Sequence, residues 1–118
     1  MEQFNFNILQ KKSMNLPPIV IELVKAQDNF DSTSYANCFT GTAVVVDEGK
    51  TYTGKEEIKS WIDKANTEYQ ISMKPLEFEQ KAKILKAEIS GKFPGSPAIL
   101  FYHMNLTHGL IQSLTITS

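Results

Sequence analysis

The hydrophobic pattern of this chain changes period once, near Tyr69, from about 3.6 residues to about 2, and keeps the new period to the end. Before that point the apolar residues mark helix stripes, with one strand among them. After it they alternate as half-buried strands do. Helices gathered at the front and a run of antiparallel strands behind them predict an α+β fold, with a curved sheet wrapped round the helices.

The helical half has clear punctuation. Leu16, Ile19, Val20, Leu23 and Val24 fall on one helix face, so a helix is expected from Leu16 to about Asn29. Asn15 would cap it, with Pro17 and Pro18 in the first turn, where a missing N–H costs nothing. Asp31-Ser32 recaps the chain into a shorter helix carrying Tyr35, Cys38 and Phe39 on one side, and Gly41 ends it. Thr42 to Asp47 is a β-branched run that reads as a strand, and Asp47-Glu48-Gly49-Lys50 is turn chemistry. Thr53-Gly54-Lys55-Glu56 reads as a capping box ahead of a helix presenting Ile58, Trp61, Ile62 and Ala65. The Glu56-Glu57 pair suits the positive end of that helix.

In the strand half, Tyr69 to Gln80 alternates with a slipped phase. Ile71 and Met73 are odd-numbered, Leu76 and Phe78 even-numbered, and Pro75 stands at the slip, so a β-bulge is expected there. Leu85, Ala87 and Ile89 share one face. Phe93 to Pro97 makes a corner. Ala98, Leu100, Tyr102, Met104 and Leu106 then form an apolar row, and Thr107-His108-Gly109 turns into a last strand with Leu110, Leu114 and Ile116 on one face.

Composition narrows the possibilities. A chain of 118 residues, 42% hydrophobic and 21% charged, is one globular domain that needs no staple. Twelve basic against thirteen acidic residues leave a net charge of -1, without the excess that drives nucleic-acid binding. A single cysteine, Cys38, forms no internal disulfide. Residues 1–15 read as an N-terminal arm without signal-peptide order, and 16–118 as the domain. No stretch approaches the roughly 18 apolar residues of a membrane span, so the expected location is cytoplasmic. His103 falls on the face opposite Tyr102 and His108 lies in a turn, so neither a metal site nor a cofactor is expected.

Two strings then carry a resemblance. YANCFTGTAVVVDEGKTYTGKEEIKSWI and SGKFPGSPAILFYHMNLTHGLIQSLTI resemble the two halves of a SnoaL-like, nuclear-transport-factor-2-like domain, in order and spacing, over residues 16–117. The marks are Phe39, Ala43, Asp47, Gly54 and Ile58, then the FPGSP corner and final hairpin. The resemblance implies a cystatin-like α+β cone enclosing an apolar pocket for a small apolar molecule. Leu23, Val45, Trp61, Leu100 and Met104 would lie in its wall. It also implies a homodimer through the outer sheet face, where Ile99 and Phe101 are apolar.

In relatives of the ketosteroid isomerase type, a carboxylate ending the first strand abstracts a proton beside a carbonyl, and two donors hold the enolate oxygen. Asp47 matches the base. The helix tyrosine donor falls on Leu23, which cannot donate, and the aspartic donor falls on Tyr102. The steroid isomerase reaction itself is therefore not expected. Three readings stay open: a cofactor-free proton-transfer enzyme with Asp47 as base and Tyr102 as donor, a non-catalytic binder of a small hydrophobic molecule, and an interaction module. In the last two, Asp47 serves only its turn and Tyr102 only the packing.

Overall fold

A computed structural model describes residues 15–118, and the expected arm lies, apart from Asn15, outside them. Helix α1 (Pro18–Asp28) and the short α2 (Ser32–Ala36) come first, followed by β1 (Phe39–Asp47), β2 (Lys50–Thr53) and α3 (Gly54–Tyr69). Strands β3 (Ser72–Glu79), β4 (Ile84–Ser90), β5 (Ala98–Thr107) and β6 (Leu110–Thr117) complete the chain. The strands form one sheet in the order β2-β1-β6-β5-β4-β3. Every neighbouring pair is antiparallel except β1 with β6, so the sheet is mixed. The helices pack on its inner face, an α+β arrangement with the core between the two layers.

The period change lands where expected, with α3 ending at Tyr69 and β3 starting at Ser72. Val20 and Leu23 on α1 and Ile58 on α3 are fully buried, in one core cluster with Leu85, Ala87 and Ile89 of β4. Three irregularities bend the sheet round this core: between Phe39 and Val44, between Pro75 and Glu77, and between Asn105 and Leu106. Each adds local twist and curvature. The second is the bulge foreseen at Pro75. It brings odd-numbered Met73 and even-numbered Phe78 to the same buried face and leaves Leu76 outside, 38% exposed.

Several local expectations are revised. Pro17, not Asn15, occupies the N-cap of α1 and supplies no side-chain cap, while the Asn15 carbonyl accepts a bond from Gln80 Nε2 at 2.7 Å. Gly41 does not end a helix: α2 stops at Ala36, Phe39 already pairs with Ile111, and Gly41 sits in the irregular stretch of β1. Thr53 does cap α3 in position, but its side chain makes no bond, and the reciprocal half of the box comes from Glu57. The Glu57 Oε1 accepts from the Thr53 N–H at 2.8 Å. In β6 the register shift turns Ile111 inward with Leu114, and both are fully buried. Leu110 does not share their face.

Candidate functional site

Asp47 closes β1 on its inner face, two residues after the fully buried Val45 and four after Ala43. It opens a tight hairpin to Lys50 whose central residues, Glu48 at φ 51° and Gly49 at φ 77°, are both left-handed. Two positive φ values in a two-residue loop match the twist of the flanking strands, and glycine takes the second without strain. The turn reading of Asp47-Glu-Gly-Lys therefore holds, and the same residue still faces inward.

Across the sheet, Asp47 is level with Ile116 of β6, and Ile116 is level with Tyr102 of β5. Asp47 and Tyr102 thus share a row and a face, about 10 Å apart at their backbones, the width of two strand spacings. Tyr102 is 6% exposed, and Tyr35 from α2 is 1% exposed. Tyr35 lies edge-on to Trp61, 6.1 Å between ring centres, and 5.7 Å from Phe39. Among the described residues neither phenol hydroxyl has a hydrogen-bond partner. Burial holds both phenols above their ordinary range, and both also feel the charge of Asp47.

The Asp47 carboxyl is itself raised, first because half of it is withdrawn from water and then because Glu48 adds like charge. The Trp61 indole N–H pulls it partly back. A carboxylate held this way is a stronger base than one in water and carries a weakened hydration shell.

An open cleft of about 1100 Å³ lies between α3 and the β1–β2 hairpin. Asp47, Trp61 and Leu100 line it. Leu23, Val45 and Met104 do not line it: they are 0%, 0% and 3% exposed and belong to the core. Tyr102 sits in the interior behind the wall. A smaller hollow of about 470 Å³ at the end of β6 shares Asp47, Glu48 and Leu100 with the cleft. Tyr52, Tyr69 and Phe93 also line the cleft, though no periodicity in the sequence marks them as wall residues. Tyr52 stacks on Trp61 at 5.5 Å, and Tyr69 meets Phe93 edge-on at 6.2 Å. An aromatic within the FPGSP corner was the signal available for Phe93.

His103 bonds Thr117 Oγ1 at 2.9 Å on the outer face, and His108 is in the β5–β6 turn. Among the described residues no group of three histidine, cysteine or carboxylate side chains could hold a metal. No described helix is long and apolar enough to cross a membrane.

Known proteins now decide the family. A candidate polyketide cyclase from Sinorhizobium meliloti is 34% identical, with 89% of this chain and 98% of that one superposing at a TM-score of 0.82. The chain belongs to the nuclear-transport-factor-2-like superfamily, alongside the SnoaL-like proteins. Lower identities within the superfamily repeat the fold. A hypothetical protein of ketosteroid isomerase-like fold from Catenulispora acidiphila, in complex with trimethylamine, is 18% identical, with 88% and 87% of the chains covered and a TM-score of 0.77. A nuclear-transport-factor-2-like protein of unknown function from Cytophaga hutchinsonii is 12% identical, with 84% and 85% covered and a TM-score of 0.68. No protein-family model and no curated protein matches the chain.

Proposed function

We propose that this nuclear-transport-factor-2-like protein binds a small, mainly apolar carbonyl compound in the cleft and moves a proton beside the carbonyl, with Asp47 as general base. One observation carries the reading: a half-buried carboxylate, its basicity raised by burial, stands at the edge of an aromatic-walled cleft. An Asp47 oxygen would take the α-proton, and the C–H electron pair would move onto the carbonyl oxygen as an enolate. Tyr102, in the same sheet row but behind the cleft wall, serves as donor for that oxygen only for a substrate that reaches past the wall into the interior. Returning the proton to another carbon completes an isomerisation. Attack of the enolate carbon on a second carbonyl of the same substrate instead makes a carbon–carbon bond and a ring, the step a polyketide cyclase requires; that carbonyl's π pair becomes an alkoxide, which takes the proton back from Asp47. The 34% identity to a candidate cyclase supports this class.

The test is exchange of solvent deuterium into candidate ketones followed by NMR. Asp47→Asn should slow it by about 100-fold or more, and exchange that survives the substitution would remove Asp47 from the mechanism. A second reading, a non-catalytic binder of a small hydrophobic molecule, draws on the fact that Tyr102 does not line the cleft. It expects binding without exchange, unchanged in Asp47→Asn. In either case the outer face with Ile99, 41% exposed, is proposed as a homodimer contact, and Phe101→Glu should yield a monomer in sedimentation if that face is the interface.

A further inference from the structure

The cleft wall is sorted along its length. Toward the hairpin stands the stacked Tyr52–Trp61 pair; toward the β4–β5 corner stand Ile71, Ile89 and Phe93, with Leu100 between the two ends. The hairpin end therefore offers π faces, whose negative quadrupole attracts cations, and the corner end offers plain apolar surface. Charge follows the same gradient. Five carboxylates line the cleft against two ammonium groups, although the whole chain is nearly balanced at -1. Four of the five, Asp47, Glu48, Glu56 and Glu57, belong to the hairpin end, with Lys50 alone against them, while Lys64 and Glu68 offset one another further along α3. Among the described residues, neither Lys50 nor Lys64 forms a salt bridge with any of these acids; the ion pair that is formed, Lys86 with Glu77, lies elsewhere on the sheet.

From this we infer that the cleft takes a cationic amphiphile. An ammonium nitrogen would sit against the Tyr52–Trp61 faces at the hairpin end, and an apolar body would run toward Phe93 and Leu100. The aromatic pair selects a soft, weakly hydrated cation, the apolar end demands a hydrocarbon portion, and the carboxylates turn away anions. Inorganic cations are poorly served, because they lose strong hydration and gain no close ligand set. The inference rests on the cleft being the ligand site and not on Asp47 acting as a base.

Trp61 is the only tryptophan of the chain, so its fluorescence reports directly from the cleft. Titration with hexyltrimethylammonium, 1-hexanol and hexanoate separates charge from chain length. The ammonium probe should bind about tenfold tighter than the alcohol, as a partly desolvated cation–π contact allows, with hexanoate the weakest of the three. Glu48→Gln combined with Glu56→Gln, both at exposed positions, should cut the ammonium affinity several-fold and leave the alcohol unchanged. Equal affinities for ammonium and alcohol, or tighter binding of hexanoate, would overturn the inference while leaving the cleft as the ligand site. Binding of none of the three would overturn both.

Discussion

Gln27 is the polar residue that ties the helical layer to the sheet beside the cleft, and its removal makes a sharp prediction. Its side chain is 2% exposed on α1. Nε2 donates to Asn66 Oδ1 of α3 at 2.8 Å and to the Ile71 carbonyl, just before β3, at 3.0 Å. Gln27→Leu keeps the volume but leaves both acceptors without this donor in a place water reaches poorly. Each orphaned acceptor costs about 1–3 kcal/mol, so the loss is about 2–6 kcal/mol before leucine's own apolar burial returns a part of it. The expected net is a destabilisation of about 2–4 kcal/mol. Gln27→Leu with Asn66→Leu removes one acceptor together with its donor, so the double variant should be more stable than the two separate losses imply, by about 1–2 kcal/mol. Urea unfolding at constant slope, followed by circular dichroism, measures all four corners of the cycle. If Gln27→Leu costs under about 0.5 kcal/mol, or the two losses simply add, the bonds are not what holds these layers together.

Two further expectations concern the site. Because burial raises the Asp47 carboxyl in the folded state, its proton contributes stability that is fully present below the ordinary carboxylate value and is lost as pH rises through the raised value. Over that mildly acidic window the urea midpoint of the unsubstituted protein should fall with rising pH more steeply than that of Asp47→Asn; parallel curves would mean the carboxylate is not held as described. Gly91→Ala places a Cβ 2.7 Å from the Tyr69 carbonyl and 3.2 Å from the Phe93 ring, so the Tyr69–Phe93 wall must shift. A loss of about 1–3 kcal/mol in urea unfolding is expected, and an unchanged midpoint would show that the corner yields freely.

The order of elements was legible because periodicity survives at the level of single residues. The slip at Pro75 announced its bulge, and the inward rows of β4 and β5 appear in the sequence as written. The two other irregularities left no such mark. Gly41 resembles a helix stop as much as a strand kink, and the inward turn of Ile111 depends on pairing with Leu106 across a hairpin. The site divided in the same way. Asp47 was singled out because it matches the base of the ketosteroid isomerase-type relatives, while its turn chemistry gave only a structural role. The depth of Leu23, Val45 and Met104 depends on how far the sheet curls over the helices, a property of three bulges acting together. Trp61 and Leu100 were read as wall residues and line the cleft, but Tyr52 and Phe93 were missed for a related reason: they are far apart in sequence, and only α3 brings them to one opening.

The position of β6 between β1 and β5 also orders the protein's assembly in time. The β1–β2 hairpin and the β3–β4–β5 meander are each made of contacts between sequence neighbours, and each can form as it leaves the ribosome. They become one sheet only when residues 110–117, made after both, slide between them and close β1 in parallel against β6. Until then Asp47 and Tyr102 belong to separate pieces, and a nascent chain that has emerged only as far as residue 109 holds the parts of the site without the row that aligns them.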